Sequence, residues 1–314
     1  MRRRLLAALA VATAAAIGGC GGGDGAGRAR PIELALDFQP GAVHAGIYAA
    51  ADRGVDAGHG IELRIRAPSA SSDSLKLLES GRADIAVVDI HDLGLARERG
   101  LDVVGVGALV QRPLAAVIAR GASRPRELEG KRVGVTGLPS DDAVLRAVVE
   151  SDGGDYGAVR RTTIGFSAVP ALVAGRVEAA TAFWNAEGVA LRARGVDTNE
   201  FRVDEYGAPR YPELVFAVLE RNLAESGDLV DDALAAIAEG TERAFADRPR
   251  AAARVARASR GEPETIRAQL DAVAGALVPP VTLDRAALEA WAEWDVEFGI
   301  LKRKPEIAEL FPPR

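Results

Sequence analysis

With 314 residues, 48% of them hydrophobic, the chain can bury a large core and exceeds the usual size of one domain, so two are expected. Its formal charge of −6 includes Arg2, Arg3 and Arg4, and without a leader that contains them the remaining side chains carry −9. Such a balance excludes a polyanionic partner such as nucleic acid. Cys20 is the only cysteine, so no disulfide can form within one chain.

In chain order, residues 1 to 4 are basic, 5 to 17 are apolar but too short for a typical membrane span, and Gly18, Gly19 and Cys20 follow. This reads as a secretory signal over residues 1–19. The position of Cys20 resembles the lipobox of bacterial lipoproteins, which implies a lipidated cysteine as the new N-terminus. Residues 20–30, ending GGGDGAGRAR, cannot pack and suit a flexible tether to a membrane surface.

Residues 33 to 37 alternate as a strand that Phe38, Gln39 and Pro40 stop, because proline fixes φ and lacks an N–H. A helix then starts at His44. Residues 61 to 65 alternate as a second strand, and SASSDSLKLLESG reads as a capped helix closed by Gly81. The strand from Asp84 to Val88 runs into Asp89, Ile90 and His91.

Further on the pattern returns. LLESGRADIAVV is echoed by ALVAGRVEAATA, with Gly81 over Gly175, Arg82 over Arg176 and Asp84 over Glu178, and the second copy runs into Phe183, Trp184 and Asn185. The opening strand before Pro40 is likewise echoed by residues 133 to 136 before Pro139, where Ser140, Asp141 and Asp142 begin a helix. Two echoes in the same order predict a pair of related α/β lobes. Lobe 1 is assigned residues 31–118 and 216–314, and lobe 2 residues 119–215; the apolar runs 115 to 119 and 214 to 219 are expected to cross between them. Ligands of open α/β sheets bind beyond the carboxyl ends of strands. That rule sets Asp37, Phe38, Gln39, His44, Ser71, Ser72, Asp89 and His91 across a cleft from Gly137, Ser140, Trp184, Asn185 and Glu187.

The order of DFQPGAVHAGIYAA, SGRADIAVV, RELEGKRVGVTGLPSDDAVL and ATAFWNAEGVALRARG resembles the solute-binding lipoproteins of ABC importers. Within that superfamily it is most similar to the branch that binds thiamine pyrimidine precursors. The pattern D-[WF]-x-P-x-x-x-H-x-G is carried by Asp37, Phe38, Pro40, His44 and Gly46, with an aromatic cluster ahead of Glu187 and Gly188. Phe38 stands where Trp is usual, and Gln39 and Gly41 depart from the common wording. The resemblance implies an α/β, two-lobed periplasmic-binding-protein-like fold of type 2, each lobe a mixed sheet flanked by helices. It also implies a monomer outside the cytoplasm that hands a formylaminopyrimidine or hydroxymethylpyrimidine type of ligand to a permease with its ATPase subunit. No cofactor is expected.

Phe38 and Trp184 are the stacking candidates, and Glu187 is either an acceptor for an exocyclic amine or an exposed helix-start carboxylate. Ser71 and Ser72 serve equally as helix caps. His44, His59 and His91 are too scattered for a metal motif. A second ligand class is a sulfonate, nitrate or other small oxyanion held by helix-start N–H groups near Ser72 and Ser140. The acids Asp37, Asp89 and Glu187 disfavour it. An enzyme is the alternative of another class, since the eukaryotic pyrimidine synthase shares the fold and its reactive histidine resembles His91. Its cofactor lysine falls at Val87 here, and its cysteine-rich run at the cysteine-free GAPRYPELVF, so catalysis is disfavoured.

Overall fold

The computed structural model describes residues 29–52, 54–68 and 73–314. The expected signal peptide, Cys20, most of the tether, Ser71 and Ser72 lie outside the described residues. Among the described residues ten strands form two five-stranded sheets. They are β1 (Arg30–Ala35), β2 (Ile61–Arg66), β3 (Ile85–Asp89), β4 (Val103–Val110), β5 (Ala115–Ala119), β6 (Arg132–Val135), β7 (Arg160–Thr163), β8 (Ala179–Phe183), β9 (Asn199–Arg202) and β10 (Leu214–Leu219). The helices used below are α1 (Ala45–Ala50), α2 (Asp73–Glu79), α3 (Ile90–Glu98), α4 (Pro139–Ser151), α5 (Ala168–Val173), α6 (Val189–Ala193), α7 (Glu220–Ala246), α8 (Arg248–Ser259), α9 (Pro263–Val273) and α10 (Arg285–Glu297).

The two sheets have the same plan. The first runs β2-β1-β3-β10-β4 and the second β7-β6-β8-β5-β9. In each, the first three strands are parallel and the fourth is antiparallel to both neighbours. The expected two-lobed α/β architecture is therefore present, and the echoed segments occupy equivalent places: β1 matches β6, and β3 matches β8. Their details agree as well. Gly81 and Gly175 both take positive φ, at 67° and 64°, where a side chain would be strained, and each closes the helix before the strand. Asp84 Oδ2 accepts the Glu33 N–H at 2.8 Å, and Glu178 Oε2 accepts the Arg132 N–H at 2.8 Å. Each acid thus ties down a backbone N–H of the parallel strand beside it.

The expected crossings are corrected. β5 lies wholly in the second sheet and β10 wholly in the first, each antiparallel to its neighbours where the chain arrives from the other lobe. A strand held by ladder bonds on both sides stays in one sheet, so the chain changes lobe where pairing stops, at residues 111–114 and 203–213. The expected boundaries at 118/119 and 215/216 fall inside β5 and β10. Helix α9 packs both on the turn at residues 42–44 of the first lobe and on residues 184–188 of the second.

The Val- and Ala-rich strands β3, β4, β5, β6, β8 and β10 are buried on both faces, whereas the charged edge strands β2 and β7 are partly or wholly exposed. Trp291 on α10 is fully buried and meets Phe311 edge-on, so the C-terminal tryptophans are packing residues, as their helical spacing predicts. Among the described residues no helix is long and apolar enough to cross a membrane.

Candidate functional site

A cavity of about 290 Å³ opens between the lobes at the carboxyl ends of β1, β3, β6, β7 and β8. Its size is near the lower end of the ~300–1,000 Å³ usual for small-molecule sites. A single substituted ring fits this scale, and a folded peptide does not. Asp37, Phe38, Gln39 and His44 enter from the loop after β1, and Asp89 and His91 from the start of α3. The second lobe contributes Ser140, Asn185 and Glu187.

The loop after β1 is fixed by its own side chains. His44 Nδ1 accepts the Gly41 N–H at 3.0 Å, which leaves Nε2 as the donor to Asp37 Oδ1 at 2.7 Å. Gln39 Nε2 donates to the Pro68 carbonyl at 3.1 Å. The spacing Asp37 to His44 is thus an internal brace for the turn that presents Phe38.

Trp184, expected as the second stacking wall, does not line the cavity. Its indole is buried, donates from Nε1 to the Pro113 carbonyl at 3.0 Å, and lies 4.2 Å beneath the Arg202 guanidinium. Its backbone N–H continues the pairing of β8 with the chain at Leu114, so successive side chains alternate in direction. Phe183 faces the cleft and Trp184 faces the crossover. The aromatic partner of Phe38 is instead Phe166, with ring centroids 5.2 Å apart and planes 27° from parallel. Phe166 is 60% exposed, and both rings line the cavity. No motif marks Phe166; its only signal was a place just beyond the end of β7.

The polar lining is acidic. Asp37, Asp89, Asp92, Asp141, Glu187 and Glu213 line the cavity, and among the described residues no lysine or arginine does. Burial pushes the carboxyls of Asp89, Asp92, Glu187 and Glu213 upward, with the His91 charge opposing this for all but Glu187. Four of the acids also occupy backbone donors, Glu213 Oε2 by accepting the Leu114 N–H at 2.7 Å. Asp89 Oδ1 accepts the His91 N–H at 2.8 Å, and Glu187 Oε2 accepts the Phe183 N–H at 3.1 Å. Asp141 Oδ2 takes the N–H groups of Gly137 and Leu138 at 2.8 and 3.1 Å and bonds Thr136 Oγ1, while Oδ1 accepts from Thr181 at 2.9 Å. Gly137, expected at the site, serves this internal cap. Sequence reading missed Asp141, Thr181 and Glu213 as cleft residues.

Beneath the first lobe's wall, His91 is buried against α10. Its Nδ1 lies 2.7 and 3.0 Å from the two Asp295 oxygens, and its Nε2 lies 3.2 Å from the Tyr211 hydroxyl. Burial disfavours the imidazolium, but Asp295 and then Asp89 outweigh it and push His91 up to about 10. Among the described residues no group of three or more His, Cys, Asp or Glu is placed to hold a metal ion.

The family model described as NMT1/THI5 like matches residues 41–252. The chain belongs to this family. It is 34% identical over 203 residues to a formylaminopyrimidine-binding protein of Halalkalibacterium halodurans, covering 63% of this chain and 62% of that one. The chain thus spans about three-fifths of that relative. It is 27% identical over 235 residues to a 4-amino-5-hydroxymethyl-2-methylpyrimidine phosphate synthase of Uromyces fabae, covering 69% and 67%. Among solved structures, the periplasmic aliphatic sulphonate binding protein SsuA of Escherichia coli is similar, with TM-score 0.75, 16% identity, and 90% and 97% of the two chains covered. That likeness shows the fold.

Proposed function

We propose that this chain is the extracytoplasmic solute-binding component of an ABC importer and captures a small flat heterocycle of the thiamine pyrimidine precursor type. Anchoring through a lipid on Cys20 and delivery to a permease with its ATPase subunit belong to this reading. The observation that carries it is the lining of the cleft: paired phenylalanine rings, one from each lobe, with six acids and no basic residue except histidine among the described residues. A stacked ring adds ~0.5–1.5 kcal/mol beyond area burial. Acceptor groups suit the N–H donors of an aminopyrimidine.

The oxyanion alternative has less support. An anion would need backbone N–H groups at a helix start, and just ahead of α4 the Asp141 carboxylate already holds the N–H groups of Gly137 and Leu138. The added anion would also meet the acids around it. The enzyme alternative loses on residues: Val87 stands at the lysine position, and both nitrogens of His91 are engaged by Asp295 and Tyr211.

A thermal-shift panel of aminopyrimidines, flavin-like rings, sulfonates and nitrate tests the proposal. A ligand at about 100 times its Kd adds ~2.7 kcal/mol of apparent stability, so a binder raises Tm by several degrees. Stabilisation by sulfonates or nitrate with none by any ring would refute it.

A further inference from the structure

Of the buried side-chain atoms left without a hydrogen-bond partner among the described residues, only Asn185 Oδ1 belongs to a residue lining the cleft. Asn185 is 4% exposed. It sits in a π-turn over Trp184–Gly188, between Phe183 and Glu187, both of which also line the cavity. Single π-turns of this kind are uncommon and concentrate at functional sites. A buried acceptor left unpaired costs free energy in the ligand-free protein, and it persists where a ligand completes it.

The neighbouring groups define what can complete it. Glu187 Oε2 already accepts the Phe183 N–H, Asp141 is filled by four donors, and among the described residues no lysine or arginine enters the cavity. No described residue donates to Asn185 Oδ1, so the partner that completes it comes from outside these residues and is a donor. An oxyanion offers only acceptors.

We propose that Asn185 is a specificity-determining residue whose Oδ1 accepts an N–H from the ligand, so that the cleft selects flat rings bearing an exocyclic amine. This deepens the reading given above and rests on it for the ligand class, while the state of the amide in the ligand-free protein stands independently. Sites built to bond a ligand N–H reject analogues lacking it far more strongly than apolar pockets reject an extra methyl group.

The test compares the wild-type chain with Asn185→Leu and Asn185→Asp. Two probes are titrated: 4-amino-5-hydroxymethyl-2-methylpyrimidine, and the same ring with a methyl group in place of the amine. Wild type should prefer the amine at least ~10-fold, Asn185→Leu should reduce the preference below ~3-fold, and Asn185→Asp should keep it because an acceptor remains. Without ligand, Asn185→Leu should melt at the same or a higher temperature than wild type, since it removes an unpaired polar group of similar volume. An amide with a structural role gives the reverse, and a lower ligand-free Tm overturns the proposal. So does an amine preference retained in Asn185→Leu. If neither ring binds wild type, the pyrimidine reading has failed, and the ligand-free melting comparison alone decides whether the Asn185 acceptor is held in reserve.

Discussion

Asp295→Asn tests the electrostatic account of the cleft floor. The Asp295 carboxylate is fully buried and faces the His91 imidazolium at 2.7 and 3.0 Å, joining α10 to the start of α3. Removing one partner of a buried pair strands the other, at a cost of ~3–5 kcal/mol. The pH dependence follows from the shift of His91 from 6.5 to about 10. At roughly 1.4 kcal/mol per pH unit, that shift is linked to up to about 5 kcal/mol of stability. Because the folded value is raised, this stability is present in full below pH 6.5 and is lost as pH climbs through 10. Asp89, Asp92 and Glu213 are raised too and act with the same sign, but both proteins share them. Urea unfolding of wild type and Asp295→Asn at pH 7 and pH 10 isolates the pair. The stability gap should be about 3–5 kcal/mol at pH 7 and should close to within about 1 kcal/mol at pH 10. A gap that stays constant over that range, or one below about 1 kcal/mol at pH 7, would refute the reasoning.

Trp184→Ala should lower stability by ~3–5 kcal/mol, as truncation of a buried indole does, with ligand affinity changing less than stability; circular dichroism melts and titration separate the two. Phe38→Ala and Phe166→Ala should each weaken binding of the aminopyrimidine about 2- to 12-fold in titration calorimetry. The Phe166 variant should melt within a few degrees of wild type, because its ring is 60% exposed. Glu187→Gln keeps an acceptor for the Phe183 N–H but loses the charge, so affinity for the same ligand should fall at least ~10-fold; unchanged affinity would remove Glu187 from recognition.

The lobes were legible because their signals are local and repeated. Pro40 and Pro139 follow strands, Gly81 and Gly175 close helices, and Asp84 and Glu178 do the same work at matched positions. Strand-end reasoning also placed Asp37, Phe38, Gln39, His44, Asp89, His91, Ser140, Asn185 and Glu187 on the cavity wall. It failed where direction depended on pairing. Trp184 looked like a wall because it follows a strand, yet its bond to Leu114 adds one step to the alternation and turns the ring away. Phe166 lies in a turn with no motif, and it meets Phe38 only because the two sheets face each other. Asp141 reads as a helix-start acid, and no motif marks Glu213. Their places in the cleft emerge only once the chain has changed lobes twice.

Isothermal titration of the purified protein with 4-amino-5-hydroxymethyl-2-methylpyrimidine, and separately with methanesulfonate and nitrate, puts the acidic, ring-walled cleft to its most direct test. The account predicts saturable one-to-one binding of the pyrimidine and no heat from either anion at millimolar concentration. Saturable binding of an anion with none of the pyrimidine would contradict it.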